Sequence, residues 1–193
     1  MTDADWQADL KRYPPKPFLR EQSIWAVWLY RCGRRLVARR DGPLKRLSLR
    51  LYWLFYRIVE TASGITLPLS AEIGPGLRIW HFGNVMLHGK VVIGANCTLH
   101  HGVTIGSRRA RGAAPTLGDN VYVGAYAQVL GGIRIGSNCK IGAMSVVLED
   151  VPDGATAVGN PARVVKRVPQ GLEWAGLESN QRPRDYESPA LTD

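Results

Sequence analysis

Aliphatic side chains recur at every sixth position through the middle of the chain, from Leu67 to Val147. This period matches neither an amphipathic helix, which repeats every 3.6 residues, nor an extended two-sided strand, which repeats every two. It predicts short strands joined by turns, three to a coil, with coils of about 18 residues stacked around one apolar core. The positions that carry the repeat are Leu67, Ile73, Ile79, Leu87, Ile93, Leu99, Ile105, Leu117, Val123, Val129, Ile135, Ile141 and Val147.

A second set of recurring positions, four residues after most of the aliphatic ones, holds small or β-branched side chains. Cys97 and Cys139 occupy two of them, so we expect both to pack in the core rather than to act in redox chemistry. The chain has three cysteines and no CxxC pair, which argues against a disulfide framework and for a reducing, cytoplasmic location. The sequence begins without a signal-peptide pattern and no 18-residue stretch lacks charge, so we predict no transmembrane helix.

The repeat loses its phase at two places, and insertions in a solenoid form loops on one face, which is often the functional face. The step from Ile79 to Leu87 is eight residues instead of six and contains His81. The step from Ile105 to Leu117 is twelve residues and reads IGSRRARGAAPTL. We expect this second insertion to project from the solenoid. Its tip carries three arginines: Arg108, Arg109 and Arg111.

All four histidines of the chain lie in one 21-residue stretch that begins at the first interruption. His81 follows the repeat residue Ile79 by two positions, and His101 follows Leu99 by two. We therefore expect these two rings to stack at one corner of neighbouring coils. Such a cluster can bind zinc and activate water, or one imidazole can act as a general base on a hydroxyl. Because no later coil supplies a histidine and the matching turns hold no acidic residue, we favour the general base and predict no metal.

The segment before the repeat is basic, with 13 Lys and Arg against 6 Asp and Glu in residues 1–66, within a net charge of +9 for the chain. Residues 1–18, with the motif YPPKPF, predict an irregular arm. Residues 19–62 predict two amphipathic helices separated by the breaker RDGP. Such a basic, aromatic pair can lie on anionic lipid, but we favour packing of the second helix's apolar stripe on the neighbouring domain or subunit. The stripe consists of Leu44, Leu47, Leu51, Leu54, Phe55, Ile58 and Ala62.

Three segments resemble the hexapeptide-repeat acyltransferases, and within them the serine acetyltransferase family. They are AEIGPGLRIWHFGNVMLHGKVVIGANCTLHHGVTIG, PTLGDNVYVGAYAQVLGGIRIGSNCKIGAMSVVLEDVP and AVGNPARVVK. The resemblance implies a mainly β fold, a left-handed parallel β-helix over residues 65–168 behind a small α-helical region in residues 1–64. It also implies a homotrimer that binds acetyl-CoA in the groove between subunits, with the N-terminal helices available to pair trimers. We expect residues 169–193, which are acidic and show no period, to form a disordered tail.

Placed on the family pattern, the catalytic histidine falls on His81. The resemblance implies that His81 accepts the proton of an acceptor hydroxyl while the hydroxyl oxygen attacks the thioester of acetyl-CoA. We place Trp80 and His101 on the acceptor side of this site. The resemblance also implies a set of contacts with the cofactor. For the glycines among them, the backbone geometry of the solenoid corners is an equally good explanation. These contacts are Gly124, Ala125, Gly142, Ala143, Pro161, Arg163 and Lys166, of which the last two suit phosphate.

Three positions depart from the serine acetyltransferase pattern. Thr66 stands where the family has the aspartate that orients the histidine, which leaves Glu72 or a partner chain's carboxylate for that role. Trp80 replaces an aspartate that holds the amino-acid acceptor, and Ala114 replaces a loop histidine that binds the serine carboxylate. Because Trp80 offers no partner to an ammonium group but can stack on a sugar ring, we favour a sugar or polysaccharide-precursor hydroxyl as the acceptor.

Several functions therefore stay open. The leading prediction is an acetyl-CoA-dependent O-acetyltransferase acting on a small-molecule or glycan acceptor, and its alternative is serine O-acetyltransferase of cysteine biosynthesis. The chain could also be a zinc hydratase of similar fold or a non-catalytic trimeric scaffold. The positive charge accompanies no recognised nucleic-acid-reading motif, so we expect no nucleic-acid partner. Peripheral membrane contact of the basic helices stays open.

Overall fold

The repeat folds into a three-sided parallel β-solenoid. A computed structural model describes residues 3–167 of the chain, so the tail predicted for residues 169–193 lies outside the described residues. The strands are β1 (Ile65–Thr66), β2 (Glu72–Ile73), β3 (Arg78–Trp80), β4 (Val85–Leu87), β5 (Val92–Ile93), β6 (Thr98–His100), β7 (Thr104–Gly106), β8 (Thr116–Leu117), β9 (Tyr122–Val123), β10 (Gln128–Leu130), β11 (Arg134–Ile135), β12 (Lys140–Ile141), β13 (Val146–Val147), β14 (Ala155–Gly159) and β15 (Ala162–Arg167).

Each of the first four coils contributes one strand to each of three sheets. The first sheet has the order β1-β4-β7-β10-β13, the second β2-β5-β8-β11, and the third β3-β6-β9-β12-β14-β15. Pairing is parallel between neighbouring coils, and β15 turns back to pair antiparallel with β14. The parallel β-helix predicted behind a helical head is confirmed.

The core consists of the side chains that carry the six-residue repeat. All thirteen aliphatic residues of the repeat are buried, with at most 7% of their surface exposed. Cys97 and Cys139 are fully buried among them, as predicted. Burial raises the pKa of Cys97 to about 11, so this thiol stays protonated and acts as a small apolar group. Since one coil covers only its neighbours, the coils are stable only as a stack.

The chain before the solenoid is helical, with α1 (Asp3–Leu10), α2 (Pro17–Arg20), α3 (Ser23–Val37) and α4 (Pro43–Ser63). The irregular arm predicted for residues 1–18 is therefore wrong in large part. The first four residues of the motif YPPKPF lie in the link between the first two helices, and its Pro17 begins α2, where the fixed φ of proline suits the first helical position. The two longer helices agree with the predicted pair.

Side chains from residues 3–37, which we call the end cap, close the open end of the first coil. Arg31 donates to the carbonyls of Ile73 and Gly74 at 2.8 and 2.6 Å, and Arg34 donates to the carbonyl of Leu69 at 2.9 Å. Tyr30, Ser23 and Arg12 make bonds of the same kind to the carbonyls of Ala71, Ile79 and Gly76. Peptide groups at the edge of a sheet need partners when they are buried, and the end cap supplies them from side chains.

A buried ion pair holds the end cap together. Arg31 donates through Nε and Nη2 to the two carboxylate oxygens of Asp9 at 2.7 and 3.0 Å, and the side chains are 2% and 0% exposed. Asp9 also accepts the backbone N–H of Leu77 at 2.8 Å. Burial raises the pKa of Asp9, and the bonds to Arg31 oppose that rise. Removing one partner would leave the other charge buried without compensation.

The fourth helix buries a different face from the one that the sequence predicts. Tyr52 and Tyr56 are buried and pack with Leu29 of α3, because large aromatic rings bury more area than the aliphatic stripe. The predicted contact of the stripe with the neighbouring domain is therefore wrong, and its contact with another subunit stays a prediction. Its exposed members, each at 51–72%, are Leu44, Leu47, Leu51, Leu54, Phe55 and Ile58.

Candidate active site

The first misphased step forms a widened turn that presents His81. The chain passes from the third sheet to the first at what we call the histidine corner, formed by residues 81–84, 101–103, 124–127 and 142–145. In its first turn His81, Gly83 and Asn84 have φ of 66, 105 and 52°. Left-handed backbone at a non-glycine residue costs about 1 kcal/mol. The turn is anchored by the Gly83 N–H, which donates to the carbonyl of Ser63 at 2.8 Å, and the His81 side chain is exposed.

The spacing correctly predicts that His101 lies against His81. Their ring centroids are 5.5 Å apart with the planes at 73°, and the ring of Tyr126 packs on His101 at 5.1 Å. The Nδ1 atom of His101 is buried and has no hydrogen-bond partner among residues 3–167. An unpartnered buried nitrogen is unfavourable, and in a single subunit its burial keeps it out of contact with a bound ligand.

A third histidine is held neutral beside this pair. Burial lowers the pKa of His100, and the charges of His81, His101 and Arg78 add to the shift. Burial raises the pKa of Tyr122, so its phenol keeps its proton. The Tyr122 hydroxyl and Nε2 of His100 share a hydrogen bond of 2.9 Å, in which Nε2 of a neutral imidazole accepts or donates according to the tautomer.

Because the His100 imidazole is held neutral in the folded protein, we expect acidification to lower the free energy of unfolding. His100 has a lower pKa in the folded protein than its ordinary 6.5, so the unfolded chain binds the proton more readily. Its contribution to stability is then complete above pH 6.5 and is lost as the pH falls through the folded pKa. We expect the Cε1–H resonance that disappears in His100→Gln to titrate with a midpoint below 6.5. A midpoint at or above 6.5 would contradict the assignment.

Trp80, placed on the acceptor side, is already engaged by other side chains. The guanidinium of Arg78 lies over its ring, 4.2 Å from the centroid. The imidazole of His100 runs nearly parallel to the indole, 21° apart in plane and 6.3 Å between centroids. These contacts reduce the surface that Trp80 can offer to a sugar ring.

Of the two carboxylates considered for the role of the family's aspartate, Glu60 contacts that position and Glu72 does not. Thr66, which occupies that position, donates through Oγ1 to Oε1 of Glu60 at 2.9 Å. Glu60 also accepts from Arg57 at 2.9 Å, so α4 brings a paired carboxylate to this position. Glu72 lies in the second sheet, away from the histidine corner, and its predicted role in orienting His81 is wrong.

The glycines implied as cofactor contacts have a packing reason of their own. A Cβ at Gly124 would lie 2.6 Å from the backbone nitrogen of Ala143, and a Cβ at Gly142 would lie 2.6 Å from Cγ1 of Val158. Such distances are shorter than van der Waals contact allows, so stacking of the next coil requires glycine at Gly124, where the neighbour is backbone, and favours it at Gly142, where the neighbour is a side chain. Their part in binding a cofactor stays a prediction.

The remaining implied cofactor contacts follow the same corner toward the last strands. Ala125 is half-buried, and Ala143, Pro161 and Arg163 are exposed. Arg163 lies 3.7 Å from the carboxylate of Glu149, an exposed pair that a phosphate could displace. Lys166 belongs to β15, but its side chain lies outside the described residues.

The inserted loop lies at a different corner from His81. It joins β7 of the first sheet to β8 of the second. Arg108, predicted at its tip, instead folds back and donates to the carbonyls of Leu130, at 3.2 Å, and Leu148, because these strand-end carbonyls lack ladder partners. Arg109 and Arg111 are exposed. A single subunit therefore keeps the loop and His81 apart.

Two further features bear on a zinc site and on membrane contact. Among residues 3–167, no group of three or more His, Cys, Asp or Glu side chains is arranged to hold a metal ion. Within the same residues, the helices are too short or too polar to cross a membrane.

Family comparisons agree with the repeat. Residues 114–149 match the model described as bacterial transferase hexapeptide (six repeats). Residues 90–108 match the model described as hexapeptide repeat of succinyl-transferase. Both matches fall within the solenoid.

The chain is similar to several serine acetyltransferases. It is 42% identical over 146 residues to that of Helicobacter pylori, an alignment that covers 75% of this chain and 81% of that protein. It is 36% identical over 160 residues to that of Synechococcus elongatus, covering 82% and 59% respectively. A serine acetyltransferase solved in complex with CoA superposes with a TM-score of 0.68 at 34% identity, covering 84% of this chain and 66% of that one. The chain spans less than two thirds of the length of two of these three proteins.

Proposed function

Because the chain belongs to the serine acetyltransferase family of hexapeptide-repeat transferases, we propose that it is an acetyl-CoA-dependent O-acetyltransferase with His81 as the general base. The observation that carries the proposal is the placement of His81. Its ring is exposed at the widened turn of the solenoid, at the position where the family carries its catalytic histidine. The coenzyme A complex of a relative supports acetyl-CoA as the donor.

The main requirement of the reaction on this chain is a correctly positioned imidazole in its neutral form. His81 accepts the proton of the acceptor hydroxyl as the hydroxyl oxygen forms the ester bond and the thioester C–S bond breaks. His81 then returns that proton to the departing thiolate. Backbone N–H groups or a side chain of the neighbouring subunit are the donors that would stabilise the negative oxygen that develops.

We propose serine as the acceptor. The relatives named above are serine acetyltransferases, so our preferred prediction, a sugar or polysaccharide precursor, is supported less well than its alternative. The contacts of Trp80 with Arg78 and His100 also weaken the case for sugar stacking.

We propose that the site is completed by a second subunit of a homotrimer. The outward residues of the first sheet are all uncharged, whereas the second sheet presents Glu72 and Arg134. An uncharged, flat sheet face is suited to contact with another copy of the chain. Such a contact would bring a neighbour's loop toward His81, which one subunit alone does not do. The outward residues are Thr66, Met86, Thr104, Gln128 and Val146.

Turnover with L-serine is the direct test. We expect purified protein to release CoA thiol from acetyl-CoA when L-serine is present, and mass spectrometry to show O-acetylserine. Since Trp80 offers no carboxylate to the serine ammonium, we expect a KM for serine at the upper end of the usual range, about 1 mM or above. The matched acceptors are L-alanine, which lacks the hydroxyl, and a panel of sugars and nucleotide sugars.

The acceptor panel separates the candidate functions. Turnover with a sugar and none with serine would overturn the acceptor and keep the base. Acetyl-CoA that neither binds nor turns over with any acceptor would overturn the enzyme proposal and leave the scaffold. Stoichiometric zinc in the purified protein, together with absent CoA release, would favour the hydratase.

A further inference from the structure

A stack of three side chains joins the end cap to the residue that precedes His81. The guanidinium carbon of Arg78 lies 4.0 Å from the ring centroid of Tyr13 and 4.2 Å from that of Trp80. Glu21 accepts two hydrogen bonds from the same guanidinium, at 2.5 and 2.7 Å. A planar cation between two rings, held by a bidentate carboxylate, has little rotational freedom left.

The stack is shielded from solvent and fixed at its far end. The side chain of Arg78 is 3% exposed and that of Glu21 is 21% exposed. Tyr13 is buried, and its hydroxyl accepts the backbone N–H of Ile79 at 3.2 Å. Because water hardly reaches these groups, their attraction is stronger than that of a surface pair.

The other end of the stack borders the base. The indole of Trp80 lies 6.2 Å from the ring of His81 and runs nearly parallel to His100. Arg78 and Trp80 lie two residues apart on one strand, so their side chains leave the same face of the third sheet. The guanidinium therefore supports the indole that lies beside His81.

We propose that Arg78 is a positioning residue for acyl transfer. Clamped by Glu21 and Tyr13, it fixes the Trp80 indole on the acceptor side of His81, so that the end cap controls how the acceptor is oriented. The inference rests on the proposed acetyltransferase function. It concerns the acceptor rather than the donor, since the implied cofactor contacts lie on later coils.

A double-mutant cycle on kcat/KM tests this role, with L-serine and acetyl-CoA varied separately. Arg78→Lys keeps the charge but loses the planar fork. In the protein that keeps Trp80, we expect Arg78→Lys to lower kcat/KM for serine about tenfold and to leave the KM for acetyl-CoA unchanged. In a Trp80→Leu background the same substitution should change kcat/KM less than about twofold, because Arg78 acts through the indole. Glu21→Gln, which keeps the shape of the clamp, should reproduce the first loss in part.

Arg12→Lys is the matched control. Arg12 bonds the carbonyls of Gly76 and Cys97 from the same cap but does not touch Trp80, so its kcat/KM for serine should stay near that of the unsubstituted protein. An equal loss for Arg78→Lys in both backgrounds, or an equal loss for Arg12→Lys, would overturn the positioning role while leaving the acetyltransferase intact. Absence of turnover in the unsubstituted protein would overturn the proposed function and this role with it.

Discussion

Replacing His81 by alanine is expected to lower kcat about 10²- to 10⁴-fold, the usual range for loss of a general base. The hydroxyl of the acceptor then has no group to take its proton as it attacks. The KM for acetyl-CoA should stay within about twofold, because the substitution removes an interaction of the transition state rather than of the bound donor. Release of CoA thiol under saturating acetyl-CoA measures the effect.

His88 provides the control for this substitution. It belongs to the same 21-residue stretch, but its Nδ1 accepts the backbone N–H of Lys90 at 3.2 Å, beyond the end of β4 rather than in the histidine corner. His88→Ala should therefore keep nearly full activity. Equal losses for the two alanine variants, or an active His81→Ala protein, would contradict the assignment of the base.

Replacing Arg31 by methionine is expected to lower the free energy of unfolding by about 3–5 kcal/mol, the range found when one partner of a buried ion pair is removed. Asp9 would remain buried without its counterion, and two carbonyls of the first coil would lose their donor. Urea unfolding at matched protein concentration measures the change, since the proposed subunit association would also contribute to stability.

Two companion variants separate the ion pair from ordinary capping. Arg34→Met removes one carbonyl bond from the same helix and should cost only about 1 kcal/mol. The double variant Asp9→Leu, Arg31→Met should recover part of the loss, because no lone charge remains. A loss for Arg31→Met no larger than that for Arg34→Met would show that the pair does not hold the end cap.

The solenoid could be predicted from the sequence because its core is local and periodic. Each coil repeats the same spacing, so thirteen aliphatic positions identify the buried face, and all of them are buried. The contact between His81 and His101 followed from the same arithmetic, since the two extra residues lie in the turn that holds the first histidine. Where structure is set by repetition, counting residues is sufficient.

The end cap could not be predicted because its partners are distant in sequence. Asp9 bonds to Arg31 and to the Leu77 N–H, and no periodic pattern in the sequence predicts these contacts. The buried face of α4 escaped prediction for a related reason. Its aliphatic stripe has the stronger helical pattern, yet Tyr52 and Tyr56 are the residues that find a partner in α3.

Part of the acceptor side was nevertheless readable from the chain. Arg78 stands two residues before Trp80, and alternation along a strand puts both on one face, so their contact had a signal in the sequence. What the sequence lacked was the third partner: Tyr13 lies in a segment rich in proline that we expected to be irregular. An aromatic residue beside a histidine suggested sugar stacking only as long as its neighbours were unknown.

The end cap also prevents further strands from pairing with the first coil. A parallel β-solenoid finishes in strands whose peptide groups point along its axis, and such an edge can template the addition of further extended chains until a fibre grows. The side chains of Arg31, Tyr30 and Ser23 form hydrogen bonds with those peptide groups. Side chains have no backbone groups with which a further strand can pair. Cutting away the first helices would therefore do more than shorten the molecule, because it would convert a closed end into a seed for polymerisation.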